Sequence, residues 1–331
     1  MKIAINGFGR IGRSFYRAFS QRRPDGLEIV AVNDLGDKEQ LLTLLEYDSN
    51  YGRFAGASPA RILQIAEPEK LPWRELEVDL VIESTGRFTK AEDAKAHLKA
   101  GANRVIISAP AEDADITIAP GVNSADYHPD RDAIISLGSC TTNALAPVVK
   151  ILQDEFGIEK GLMTTVHAYT QDQMLQDAPH HDDCRRGRQA ATNIVPTTTG
   201  AAQAIFRVCQ GLGEKMDGLS LRVPVAVVSI VDLVCQLKNP PAGGGGKDKL
   251  NQVFTQYAAE KMKGILAVND KPLVSSDFRG RPESSIVDLS WTYVIGDLVK
   301  VVAWYDNEWG YSNRLVDMCE MIKSKIKINN P

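Results

Sequence analysis

Cys140 stands in SLGSCTTNALAP, residues 136–147, where a run of apolar and β-branched positions meets a Gly-Ser bend and the following residues read as helix. A cysteine that opens a helix sits among unpaired backbone N–H groups at the positive end of the macrodipole, which favours a thiolate. A thiolate nucleophile also needs a base or a cation close by. His167 ends the strand-like MTTVHAYT among small and polar residues and is the best-placed candidate base; a hydrogen-bonded core histidine would look the same in sequence. His97 falls in an Ala- and Lys-rich helix and is expected to be exposed, His128 precedes Pro129 in a loop, and His180 and His181 lie in a polar stretch. Cys209, Cys235 and Cys319 lie in apolar runs or in the terminal helix and read as inert. Cys184, beside Arg185 and Arg186, is the rival reactive thiol.

Two stretches suit phosphate. PTTTGAA (196–202) places hydroxyls and a glycine before a helix, either an anion site or a threonine cap. SLRVPV puts Arg222 in an otherwise apolar strand, where it needs an anionic partner, a carboxylate or a substrate phosphate. A third constellation is INGFGRIGR, with Gly7, Gly9 and Gly12 in G-x-G-x-x-G spacing between a strand and a helix. The first glycine permits the turn, the second lets the backbone approach a pyrophosphate, and the third lets helix and strand pack. The next strand ends in Asp34, placed to accept hydrogen bonds from ribose hydroxyls or to cap the helix before KEQ. An acid there repels a 2′-phosphate and Leu35 brings no positive charge, so NAD is expected rather than NADP. Glu83–Gly86 (ESTG) ends a further strand at the same sheet edge, as a ligand loop or a simple turn.

The elements that must carry these residues fall into two halves. In the first, KIAI, LEIVAVND, VDLVIEST, RVIISAP and AIISLGS alternate with helical stretches such as Arg10–Arg22, KEQLLTLLEY and AEDAKAHLKAG. Repeated strand–helix–strand units predict a parallel, doubly wound sheet. In the second half, GLMTTVHAY, GLSLRVPVAVVSIVDLVCQL and SSIVDLSWTYVIGDLVKVVAWYDN are longer and richer in strand formers, and predict a mixed or antiparallel sheet. NALAPVVKILQDEF and KDKLNQVFTQYAAEKMKG read as helices, NPPAGGGGK as a flexible turn, and NRLVDMCEMIKSKIKI as an amphipathic helix that must dock. The class is α/β with two domains.

With 38 basic and 42 acidic residues the net charge is −4, so nucleic-acid binding is not expected as the main role. No apolar run approaches a membrane span, and MKIAINGFGR passes straight into a strand without a signal-peptide pattern. Five scattered cysteines form neither a disulfide framework nor zinc spacing, so no metal and a reducing, cytoplasmic setting are expected.

These motifs together resemble phosphorylating glyceraldehyde-3-phosphate dehydrogenases over the whole length: INGFGRIGR, ND, YDSNYGRF, ESTGRFT, VIISAPA, SCTTN, HAYTQDQ, PTTTGAA, RVP and WYDNEWGYSNR occur in the family's order. The resemblance implies a Rossmann-type NAD-binding domain (1–139 and 313–331, the terminal helix returning to it), an α+β catalytic domain (140–312) and a homotetramer. It implies Cys140 as nucleophile and His167 as base. Thr170 and Arg222 would hold the substrate's phosphate, and Ser139, Thr141, Thr199 and Gly200 the inorganic phosphate. Gly7, Gly9, Arg10, Ile11, Gly12, Asp34, Ser84, Thr85, Gly86, Ser108, Asn307 and Tyr311 would line the NAD site. Residues 172–190 would form a loop between subunits, and Pro179 with Leu35 fits the NAD-preferring pattern. The chain departs from the family at Leu137, Gly138 and Ala144, at Val225–Val228, between Phe54 and Trp73 where it is shorter, and in a longer PHHDDCRRGR. Erythrose-4-phosphate dehydrogenase is the alternative on the same scaffold, but the intact HAYTQDQ and PTTTGAA argue against it. Semialdehyde dehydrogenases lack this motif set. A catalytically silent NAD-binding thiol sensor would tolerate loss of His167, Arg222 and the threonines, all of which are present.

Overall fold

A computed structural model describes residues 1–213, 215–241 and 245–329, so Ala242–Gly244 of the glycine-rich turn lie outside the described residues. The chain divides into two compact units, Met1–Ser139 with Ser312–Pro331, and Cys140–Tyr311.

The first unit is built on a parallel sheet. Its strands are β1 (Lys2–Asn6), β2 (Glu28–Asn33), β5 (Ile62–Leu63), β6 (Leu80–Glu83), β7 (Arg104–Ile107), β8 (Ile116–Thr117) and β9 (Ile134–Ser136), in the order β5-β2-β1-β6-β7-β9-β8; β3 (Tyr47–Asp48) and β4 (Gly52–Arg53) form a separate hairpin. Every pairing in the larger sheet is parallel, as continuous apolar runs such as IAI and LVI require when both faces are covered. Helices α1 (Arg10–Arg22), α2 (Lys38–Glu46) and α3 (Ala91–Lys99) make the crossovers. The order reverses between β1 and β6, so the crevice beyond their carboxyl ends is where such a sheet receives a ligand. One core layer gathers Trp73, Val81, Ala94, Val105 and Ile107.

The terminal helix, α7 (Trp309–Asn329), is tied to this unit. Arg22 pairs with Asp317 and Glu320, and Lys325 Nζ donates to the Tyr127 carbonyl at 2.6 Å.

The second unit has a mixed eight-stranded sheet: β10 (Ile158–Ala168), β11 (Val195–Thr198), β12 (Met216–Val223), β13 (Ser229–Leu237), β14 (Leu266–Asn269), β15 (Ser285–Asp288), β16 (Tyr293–Ile295) and β17 (Leu298–Tyr305). Its helices are α4 (Cys140–Phe156), α5 (Ala201–Val208) and α6 (Gly246–Ala259), and α4 packs against β10, β13 and β17. The stretch 218–237, which reads as one long strand, is two, broken at Pro224–Val228: proline cannot donate to a ladder, and Val228 takes φ +76°. The alternation along β10 turns Met163, Thr165 and His167 to the buried face and Leu162 to the other. Register then sets His167 beside Arg222 of β12.

Candidate active site

In the second unit, Cys140 is the first residue of α4, with Ser139 before it. Gly138 reaches this start with φ +60°, a conformation glycine takes without the Cβ penalty other residues meet. Cys140 Sγ lies 3.4 Å from His167 Nε2. His167 Nδ1 lies 2.7 Å from the Ala168 carbonyl oxygen, which can only accept, and 2.9 Å from Arg222 Nη1, which can only donate, so the two neighbours favour opposite tautomers; with the proton on Nδ1, the Nε2 lone pair faces sulfur. The Arg222 guanidinium lies 2.9 Å from Nδ1 through Nη1, which donates to the Thr170 hydroxyl (3.0 Å) and the Ala168 carbonyl (3.3 Å). Burial first, and then the Arg222 charge, lower the His167 pKa to about 3, so the imidazole is neutral.

Burial pushes the Cys140 thiol up, against Arg222, the Thr141 hydroxyl and the first backbone N–H groups of α4, which pull it down. The helix start stabilises negative charge on sulfur once the proton leaves.

Among the described residues Arg222 has no ion-pair partner, and its buried Nε has no hydrogen-bond acceptor. Of the two partners its sequence allowed, the Asp172 carboxylate acts on it from beyond Thr170 without forming an ion pair, and a phosphate fits its unfilled Nε. Thr170 donates its hydroxyl proton to Asp172, which also pairs with Arg186 at 2.9 Å. Thr141 is buried, and its hydroxyl shares a hydrogen bond with the Tyr305 hydroxyl at 2.9 Å, which continues to Thr165 at 2.8 Å. Its hydroxyl thus faces the thiol and Tyr305. Thr199 and Gly200 stand outside this hydrogen-bonded group, at the start of α5, where Thr199 Oγ1 accepts the Ala201 N–H at 3.2 Å; a Cβ on Gly200 would meet open space. Asn307 is buried, and its Oδ1 accepts from the Val228 N–H (3.0 Å) and the Ser229 hydroxyl (3.2 Å), so its NH2 remains to donate to a carboxamide. Tyr311 is buried within reach of the Cys140 charge, and burial raises its pKa well above the usual tyrosine range.

In the first unit the glycine turn has the shape a dinucleotide needs. Gly7 takes φ +95°, and a Cβ there would meet the Thr85 backbone nitrogen at 2.5 Å; one on Gly12 would lie 2.1 Å from the Gly7 carbonyl oxygen; one on Gly9 would meet nothing within 4 Å. The open side is therefore at the middle glycine, the N-cap of α1, which has no side-chain cap to fill the helix's first N–H groups. Asp34 accepts from the Phe8 N–H (2.7 Å) and the Gly36 N–H (2.8 Å). It does not cap α2: Asp37 does, accepting the Gln40 N–H at 3.0 Å. With remaining lone pairs at the sheet edge, Asp34 suits ribose hydroxyls. Ser84 donates to the Gly7 carbonyl at 2.7 Å, Gly86 takes φ +71°, and Ser108 follows β7 with its N–H on the Glu83 carbonyl at 2.9 Å. Arg10 offers α1's first turn and Ile11 is half-buried, but the Arg10 side chain pairs with Asp48 and lies over Tyr51. The site fits NAD.

His97 is fully buried rather than exposed. Trp73, Glu83 and Asn6 surround its ring, a polar environment that the helix's alanines and lysines did not signal. Burial raises the Cys209 and Cys235 thiols to about 12, and Cys319 is raised as well, so these are poor nucleophiles. Cys184 is exposed.

The family model "Glyceraldehyde 3-phosphate dehydrogenase, NAD binding domain" matches residues 1–91, and "Glyceraldehyde 3-phosphate dehydrogenase, C-terminal domain" matches residues 139–307. A glyceraldehyde-3-phosphate dehydrogenase of Mycobacterium avium is 51% identical, covering 97% of this chain and 98% of the relative. One of Kitasatospora aureofaciens is 51% identical over 98% of this chain and 99% of its own, and one of Mycolicibacterium smegmatis 50% over 97% and 98%.

Proposed function

The chain belongs to the glyceraldehyde 3-phosphate dehydrogenase family, and on that premise we propose that it oxidises glyceraldehyde 3-phosphate with NAD and inorganic phosphate to 1,3-bisphosphoglycerate. The observation that carries this reading is Cys140 Sγ at 3.4 Å from His167 Nε2, with Arg222 and Thr170 hydrogen-bonded beside them.

NAD, when bound, accepts the two electrons removed from the aldehyde carbon. Cys140 Sγ attacks that carbon as its proton passes to His167 Nε2, forming the S–C bond of a thiohemiacetal. The N–H groups of the first turn of α4 and the protonated imidazole stabilise the developing oxyanion, and the imidazole then gives its proton to that oxygen, forming the hydroxyl; one such donor is typically worth about 3 kcal/mol. As the carbon is oxidised to a thioester, His167 takes the hydroxyl proton. Inorganic phosphate then attacks the thioester carbon, the C–S bond breaks, and an acyl phosphate leaves as Cys140 regains its proton. Arg222 and Thr170 hold the substrate's own phosphate and so fix the aldehyde carbon over sulfur.

A homotetramer in the cytoplasm belongs to the same proposal. An apolar face of the mixed sheet supports assembly: Ile295 is 72% exposed and Trp291 56%, beside Tyr293, Leu298, Ile230 and Val234. The five free thiols suit a reducing compartment.

NADH formation from glyceraldehyde 3-phosphate tests the reading, with and without phosphate and with erythrose 4-phosphate in parallel. Phosphate-dependent turnover of the triose is expected. Preference for the tetrose, or turnover independent of phosphate, would overturn the substrate assignment.

A further inference from the structure

Three parallel strands end in a polar residue at one level: Asn33 of β2 pairs with Asn6 of β1, and Asn6 with Glu83 of β6. Asn33 Nδ2 donates to Asn6 Oδ1 at 2.7 Å, and Asn6 Nδ2 donates to Glu83 Oε2 at 2.6 Å. Glu83 is 2% exposed, and a carboxylate so buried is costly unless its lone pairs are filled. They are filled. His97 Nε2 lies 3.0 Å from Oε2, and the Thr85 backbone N–H (2.8 Å) and hydroxyl (2.5 Å) donate to Oε1. The tautomer of His97 is fixed from behind: Trp73 Nε1 can only donate and lies 3.0 Å from Nδ1, so Nδ1 accepts and Nε2 carries the proton that reaches Glu83.

None of these three residues touches the chemistry described above, yet the outward end of the group is the cofactor turn. Thr85 is the residue whose backbone lies against Gly7, at 2.5 Å from where a Cβ would stand, and Ser84 ties the same turn to the Gly7 carbonyl. Thr85 Oγ1 also accepts the Arg87 N–H at 3.1 Å, so the hydroxyl that Glu83 orients in turn shapes the loop through Gly86. Glu83 therefore sets the spacing between two backbone turns at the point where the strand order reverses.

We infer that Glu83, braced by His97 and Trp73, is a positioning residue for NAD, holding the Ser84–Gly86 turn at the height where it and the Gly7–Gly12 turn receive the dinucleotide together. The inference rests on the NAD reading and not on the aldehyde chemistry.

The test is NAD binding to the purified full-length chain by calorimetry, beside steady-state KM and kcat and the thermal midpoint. Glu83→Gln keeps the volume but turns an NH2 toward donors. NAD Kd and KM are expected to rise about tenfold or more, the loss of a hydrogen bond to a charged group. The KM for the aldehyde and kcat are expected to stay within about twofold. Thr85→Val, which leaves the buried trio intact, is expected to weaken NAD in the same direction, and Thr85→Ser to restore it; this pair decides if Glu83→Gln does not fold. A lowered thermal midpoint with NAD Kd unchanged, or equal Kd for Thr85→Val and Thr85→Ser, would overturn the inference. A wild-type chain that binds NAD without turning over the triose would defeat the proposed reaction and leave these Kd values to decide this point; one that binds no NAD defeats it.

Discussion

Cys140 Sγ lies 3.4 Å from Nε2 of His167, and the same imidazole is turned by its Nδ1 to a backbone oxygen 2.7 Å away. That second contact favours the tautomer with its proton on Nδ1, whereas Arg222 Nη1, a donor 2.9 Å from the same nitrogen, favours the other. With the proton on Nδ1, the nitrogen facing sulfur accepts, and His167 is the destination of the thiol proton.

Changing His167 to Asn removes that destination. kcat is expected to fall by about 10²–10⁴-fold, with NAD binding retained. Stability should change as well. The native imidazole titrates at about 3 and an unfolded one near 6.5, so between these values the unfolded chain binds more protons than the native one. This group's contribution is full above about pH 6.5 and is lost as pH falls toward 3. Denaturant unfolding should therefore show the wild type losing stability across that window faster than His167→Asn. Parallel curves would contradict the neutral imidazole.

Arg222→Lys keeps the charge and loses the planar fork. With Nη1 no longer bridging Thr170 and the Ala168 carbonyl, the KM for the phosphorylated aldehyde is expected to rise about 10–100-fold, as a charge-assisted hydrogen bond would give. The KM for NAD should not move. A rise in both, measured by steady-state kinetics with each substrate varied, would place Arg222 in general structure instead.

Asp34→Ala removes the acceptor that holds the Phe8 and Gly36 N–H groups and that is offered to the ribose. The KM for NAD should rise about tenfold, and the ratio of kcat/KM for NAD over NADP should narrow because the carboxylate no longer opposes a 2′-phosphate. An unchanged ratio would show that the coenzyme preference lies elsewhere.

Much of this was legible in the sequence because local chemistry and tertiary role agree. α1 runs from Arg10 to Arg22, the span its apolar pattern predicts, and the turn before it needs its glycines. Asp34 and Asp37 are different. From sequence Asp34 reads as a ribose acceptor or as the cap before KEQ, and only the fold shows that Asp37 is the cap and frees Asp34. Pro224 was the local signal for the break in the strand, but the turn at Val228 had none: a β-branched residue at φ +76° persists because its N–H is held by Asn307, 79 positions away. His97 was misread for a related reason. Its neighbours in sequence are helix formers, while its partners Trp73 and Glu83 come from other elements. The one hint was that KIAIN, EIVAVN and LVIE each end an apolar strand on a polar residue.

The central claim is a covalent acyl group on Cys140, and a single-turnover measurement reaches it most directly. The chain, loaded with NAD and mixed with glyceraldehyde 3-phosphate in the absence of phosphate, should release a burst of NADH stoichiometric with chains and carry a phosphoglyceroyl adduct that peptide mass spectrometry places on Cys140. Added phosphate should discharge the adduct and restore turnover. A burst with no adduct on Cys140, or an adduct that persists unchanged after phosphate is added, would contradict the account.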